Sequence, residues 1–349
     1  MAFTYYKSVT IDHTQCGSSN STDFPVAIYV TDADLKTTGN GGYVLNSSGF
    51  DIRPYSDITL TTALTFELVV YTPITGQLEM HVKIPTLDAS TNVVFYLAFG
   101  NSSLSTDGSS TSAWDSSFLE VYHFGDGTTL GLNSSVSGGH TLTNHGATAS
   151  AAEVAGGAAH FVAASSQYME GVSTNLGSGD FTMEVIVKYS GVAPTPFGGI
   201  FAIGNTSGGA EIQQYNATGV ITQVRGSLDA NIGQSGWLHI VLQRTGAGGI
   251  KTWNNGSASA GATGGTGTAA GILDLGNRQS LDEVYFDGDL DEVRVSTIKR
   301  SDDYITASYN NQKVSSTFLS WGALTPFSSG AASLGYIARP TIMIQRRRR

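Results

Sequence analysis

Short runs of Val, Ile, Phe and Tyr recur along the chain, each broken by Gly, Ser, Asn or Asp within ten or so residues, and the apolar positions alternate with polar ones. "FPVAIYVT" (24–31), "FELVVYT" (66–72), "LEMHVKIP" (78–85) and "NVVFYLAFG" (92–100) mark the first hundred residues. Period-two alternation in runs this short predicts half-buried strands. A second series follows: "FLEVYHFGDG" (118–127), "AAHFVAA" (158–164), "DFTMEVIVKYS" (180–190), "GGIFAIGN" (198–205), "EIQQYNA" (211–217), "GVITQVRGS" (219–227) and "GWLHIVLQRT" (236–245). In "IKTWNNGSAS" (250–259) the Asn255-Gly256 pair predicts a tight hairpin, because both residues tolerate the positive φ of a type I′ turn.

One segment has helical character. Ser301 is placed to cap a helix over 301–311, Asp302 and Asp303 favour its positive end, and Ile305 and Tyr309 form an i,i+4 apolar pair. "FLSW" (318–321) then returns as a closing strand. Many strands and one short helix give an all-β chain of two tandem antiparallel β-sandwiches. The predicted organisation is a sandwich over 1–106, a linker at 107–113 within the Ser-rich "NSSLSTDGSSTSA" (101–113), a second sandwich over 114–327, and a tail over 328–349.

Composition agrees. Of 349 residues only 13% are charged, against about 25% in ordinary soluble domains. The 43 glycines suit a turn-rich β protein. A formal charge of -10 argues against nucleic acid as a partner for the body of the molecule. One cysteine, Cys16, excludes an internal disulfide framework. No apolar stretch is long enough for a transmembrane helix, and the opening residues lack the pattern of a cleavable signal, so a product made in the cytoplasm is expected.

The densest chemistry is acidic. Asp287, Asp289 and Asp291 alternate in "FDGDLDEVRVS" (286–296) and are expected on one strand face, with Val293 and Val295, while Glu292 takes the other. The first reading is a solvated strand end. A discontinuous calcium site is the second, since an EF-hand fails at the sixth and twelfth positions, and no other cofactor is expected. Catalysis by Asp289, Asp291 and Glu292 is the third, and it puts Glu292 on the wrong face for paired carboxylates. Trp237 reads as core. Trp253, beside the hairpin, and Tyr215 are the candidate sugar-stacking aromatics.

The segments "VYHF" (121–124), "DFTMEVIVK" (180–188), "WLHIVLQRTG" (237–246), "IKTWNNG" (250–256) and "GDLDEVRVSTIKRSDDYITASYNNQ" (288–312) resemble the laminin-G-like branch of the concanavalin A-like lectin and glucanase superfamily. "FPVAIYVTDADL" (24–35), "FDIRPY" (50–55) and "VKIPTLDASTNVVFYLAFGN" (82–101) are similar to an uncharacterised β-sandwich family often fused ahead of such domains. The resemblance implies a jelly roll and surface recognition, often of glycans, and rarely catalysis. The tail carries Arg339, Ile342, Ile344 and the run Arg346, Arg347, Arg348 and Arg349, which reads as an anchor for assembly. Together these features suggest a non-enzymatic, multi-copy structural or decoration protein of a bacteriophage virion, held to other virion proteins by its tail and displaying a domain for host-surface polysaccharide. The alternatives are a bacterial surface adhesin and a glycoside hydrolase.

Overall fold

Among the described residues the alternation becomes four antiparallel sheets. The computed structural model describes residues 3–327 apart from 126–129, 133, 135–138, 151–156, 192–196, 206–207, 217–218, 225–226, 234–235, 247, 279–283 and 314. In the first sandwich, the strands Ser21–Thr31 and Phe66–Thr72 flank Gln77–Leu87. Phe24, Val26 and Ile28 stand opposite Ile84, Val82 and Met80 in register and share one core with Val9, Phe95 and Leu97 of the facing sheet. That facing sheet runs Leu319–Trp321, Tyr5–Ile11, Val93–Phe99, Arg53–Tyr55.

The closing strand near 318–321 therefore exists, but it closes the first sandwich: Val9 pairs with Trp321 and Ile11 with Leu319, and Tyr5 pairs with Pro326. The predicted extent of the second sandwich to 327 is corrected accordingly, because the free edge of Tyr5–Ile11 offers backbone partners that this segment fills. The segment read as a linker is also engaged, Ser110 N–H donating to Phe66 O and Leu68 N–H to Ser109 Oγ.

In the second sandwich, one sheet runs Ser257–Ala258, Ile250–Asn254, Trp237–Arg244, Phe181–Tyr189, Gly288–Ser296, Ala158–Phe161, Thr148–Ser150, with Phe118–Tyr122 also on Gly288–Ser296. The other has Ala269–Leu275 between Gly198–Asn205 and Tyr168–Gly177. Met183, Val185, Val187, Ile240, Leu242, Val293 and Val295 fill the space between them with Phe201, Leu273 and Leu275.

The Phe181–Tyr189 strand is buried on both faces along most of its length, although Thr182, Glu184 and Lys188 alternate with its apolar residues. Its second face lies under the helix Asp302–Gln312, whose Ser308 and Gln312 donate to Glu184. Ser301 Oγ caps that helix by accepting from Tyr304 N–H at 3.1 Å. Its last turn is divided between neighbours. Asn310 Nδ2 donates to Gln15 O, and Asn311 pairs with both the N–H and the C=O of Ala27 on the edge strand, whereas Gln312 turns to the second sandwich. Among the described residues no helix is long and apolar enough to cross a membrane.

Candidate functional site

Where the helix, the Asn255-Gly256 turn and the start of the Trp237–Arg244 strand meet, they leave a pocket of about 170 Å³. This is comparable to cavities of roughly 150 Å³ that admit one benzene-sized ring. Trp237 and Tyr309 supply aromatic walls, Ile186 and Leu238 an apolar base, and His239, Asn255, Gln312 and Lys313 the polar groups. Asn255 and Gly256 sit at φ 48° and 75°, as the hairpin reading requires. The turn is pinned to the strand because His239 N–H donates to Asn255 Oδ1, and Asn255 N–H to His239 O, both at 2.9 Å. Trp237 is half-buried with Lys188 Nζ 5.7 Å from its ring centre, and Lys313 Nζ lies 5.4 Å from that of Tyr309.

Behind the pocket lies Glu184. Its Oε1 accepts from His239 Nε2 at 2.9 Å, Ser308 Oγ at 2.6 Å and Gln312 Nε2 at 3.2 Å, with Arg294 Nη1 3.5 Å away. Burial by itself would raise this carboxyl, but the Arg294 charge and the bonds from His239 and Ser308 hold it down at about 2. The network fixes His239 and Gln312 by one end each. Among the described residues, His239 Nδ1 and Gln312 Oε1 are buried with no hydrogen-bond partner. In the uncharged tautomer that donates Nε2–H to Glu184, Nδ1 is an acceptor, as Gln312 Oε1 is. Two aromatic walls with His239, Asn255, Gln312 and Lys313 around them suit a ligand with an apolar ring face and polar substituents.

The two tryptophans are placed the other way round from their sequence reading, Trp253 buried and Trp237 half-buried at the pocket. Trp253 is 4% exposed, packed with Val241 and Ile305 beneath the helix, its Nε1 donating to Gln243 Oε1. It is core, not a stacking platform, because the helix covers the strand next to the hairpin. Trp237 reaches the pocket because it sits at the strand's first position, beyond the helix. Tyr215 lies in the Gly208–Asn216 strand, and its side chain is outside the described residues. Arg339, Ile342, Ile344 and Arg346 to Arg349 also fall outside them.

The acidic strand differs from its alternating reading. Asp291 stands opposite Ile186 and Arg294 opposite Glu184, so this strand carries one extra residue, and Glu292 has φ 47°. The bulge resets the alternation: Leu290, Val293 and Val295 enter the core, whereas Glu292 and Arg294 turn to the seam between the sandwiches. Asp287, Asp289 and Asp291 are not gathered round one point. Asp287 Oδ2 accepts from Ala163 N–H, Asp289 Oδ1 from Ser150 Oγ and faces His160 Nδ1, and Asp291 is fully buried.

Among the described residues, one group of His and acidic side chains is close enough to share an ion: Glu79, His81, His123 and Glu292, in the seam. Despite burial, Glu292 and Glu67 push the His123 imidazole well above its ordinary range, and His123 and Arg294 hold Glu292 well below its own. His81, penalised by burial, falls to about 4.

No curated protein matches the chain. Among solved structures, it is similar to the binding domain of botulinum neurotoxin DC in complex with rat synaptotagmin II (11% identity, TM-score 0.45, 56% of this chain and 52% of that one). It is also similar to the botulinum neurotoxin type G receptor binding domain (13%, 0.43, 56% and 52%). The binding domain of Paraclostridial Mosquitocidal Protein 1 is a third (11%, 0.43, 56% and 52%). The chain spans about half the length of these structures. Residues 163–306 match the family model of the concanavalin A-like lectin/glucanases superfamily, and this part of the chain is a lectin-like domain of that superfamily.

Proposed function

We propose that the chain is a non-catalytic binding protein that takes a single sugar ring of a surface glycan into the Trp237–Tyr309 pocket. The observation that carries this reading is a pocket of about 170 Å³ walled by the rings of Trp237 and Tyr309, with His239, Asn255, Gln312 and Lys313 as its polar lining. A pyranose has apolar C–H faces for the rings and hydroxyls for the polar lining, so it suits both at once. A non-catalytic role is supported by the seat of the acids: Asp291 and Glu292 are fully buried and out of reach of a glycosidic bond.

The test is a glycan array followed by titration of the hits. Wild-type protein is expected to bind, Tyr309→Ala and Trp237→Ala to weaken binding about tenfold or more, roughly 1.4 kcal/mol, and Trp253→Phe to leave it unchanged. No binding across the array, or binding indifferent to Trp237 and Tyr309, overturns the reading.

We further propose the virion as its setting, with residues 336–349 as the mount. The support is the tail's own chemistry, four arginines after an Ile-Met-Ile run. Removing 336–349 is expected to abolish incorporation into particles while glycan binding persists. Unchanged incorporation defeats the proposal.

A further inference from the structure

The seam between the sandwiches contains a set of ligands that the sugar-binding reading does not use. Glu79 and His81 project from the outer face of the Gln77–Leu87 strand of the first sandwich, His123 follows the Phe118–Tyr122 strand, and Glu292 is the bulge residue of Gly288–Ser296. All four are buried, and one ligand atom from each lies within 4.8 Å of the others. We propose that these residues form a structural site for a transition-metal dication of the zinc type, which staples the two sandwiches together.

Three observations carry the assignment. His81 is fully buried, and among the described residues neither ring nitrogen has a hydrogen-bond partner; its Nε2 lies 3.6 Å from Glu292 Oε1. An imidazole in that position costs stability unless something accepts its lone pair. Second, the other ligands are oriented from behind as metal ligands are. His123 turns Nε2 toward Glu67 Oε2 at 3.4 Å and leaves Nδ1 facing Glu292 Oε1 at 2.7 Å, while Arg294 Nη2 holds Glu292 Oε2 at 2.5 Å and leaves Oε1 for the site. Glu67 is itself fixed by Trp114 Nε1. Third, charge: Glu79 and Glu292 converge here, both buried, with Glu67 behind His123, and the guanidinium of Arg294 is shared with Glu184. A dication supplies the missing positive charge and takes the place of the proton between His123 and Glu292, which is released.

Two imidazoles and two carboxylates favour Zn²⁺, at about 2.0–2.2 Å per ligand, and disfavour Ca²⁺, which takes oxygen alone. Four protein ligands and the lack of exposure leave no open position, so the role is structural rather than catalytic.

The test uses the full chain and Zn²⁺ alone. Protein purified without chelator is measured for metal, stripped with EDTA, and retitrated while Tm is followed. One equivalent per chain is expected, with Tm rising with the logarithm of free Zn²⁺, and both lost in His81→Gln and Glu292→Gln. X-ray absorption on the zinc-loaded wild type, which needs no variant, is expected to show two imidazole nitrogens with carboxylate oxygens. A folded chain that neither retains nor rebinds zinc overturns the proposal. So does zinc bound equally by both variants, or a first shell without imidazole.

Discussion

His239 Nε2 donates to Glu184 Oε1 across 2.9 Å, with both side chains buried, and so couples a wall of the pocket to a carboxylate deep in the sheet. The same oxygen receives Ser308 and Gln312 from the helix and faces Arg294, hence one buried charge sets the relative position of strand, helix and pocket.

Acid should release that arrangement. Glu184 is held at about 2 in the folded chain, below the roughly 4.3 of an unfolded glutamate. A depressed carboxyl contributes stability that is fully present above the unfolded value and is lost as pH falls through the folded one. The loss from Glu184 is about 3 kcal/mol between roughly pH 4.5 and 2. Urea unfolding from pH 2 to 7 is expected to show a shallower acid limb in Glu184→Gln, which is also less stable at neutral pH. A variant as stable as wild type at pH 7, with the same acid limb, removes Glu184 from this role.

Gly256 links turn chemistry to the pocket. Its φ is 75°, and a Cβ placed there would come 2.8 Å from Tyr309 Cδ1. Gly256→Ala should therefore cost about 1–2 kcal/mol from the left-handed backbone and also displace Tyr309. Glycan affinity is expected to fall with stability, whereas Gly41→Ala, at φ 87° with nothing near its Cβ, should lower stability alone. Calorimetry and a binding titration on both variants separate the effects.

The strands were legible because each carries a two-residue apolar period, and the helix because Ser301, Asp302 and Asp303 state its start. Three things were not. The bulge at Glu292 has no glycine to announce its positive φ, so simple alternation put Glu292 and Val293 on the wrong faces. Burial of Trp253 depends on where Ile305 docks, which is a tertiary fact with no local signal. The seam draws on Glu79, His81, His123 and Glu292, spread over more than two hundred residues, and only the packing of one sandwich on the other brings them together. The "YNNQ" ending of the helix was visible as a motif. Its meaning, Tyr309 to the pocket, Asn310 and Asn311 to the first sandwich and Gln312 to the second, required the fold.

The two tryptophans should separate stability from binding. Trp253→Ala empties a site under the helix and leaves Gln243 Oε1 without its indole donor, so a loss of about 3–5 kcal/mol is expected. Trp237→Ala, at a half-buried rim, should cost roughly 1 kcal/mol while weakening the sugar. Equal denaturant midpoints for the two variants would contradict the placement of Trp253 in the core.

Asn311 acts as a surrogate strand. Its Oδ1 accepts from Ala27 N–H at 2.7 Å and its Nδ2 donates to Ala27 O at 2.9 Å, the two bonds that a neighbouring strand would make on the open edge of Ser21–Thr31. Asn311→Leu keeps the volume but leaves a buried donor and acceptor unmatched, at a cost of about 2–4 kcal/mol. Asn311→Asp keeps the acceptor and loses the donor, and so should fall between. Native-state hydrogen exchange gives the sharper readout: the Ala27 amide is expected to lose protection in Asn311→Leu and retain most of it in Asn311→Asp. The amide of Val26, whose opposite residue is Val82 within the sheet, should move less in both. If Ala27 stays protected in the leucine variant, the helix covers that edge by packing alone and the asparagine is dispensable.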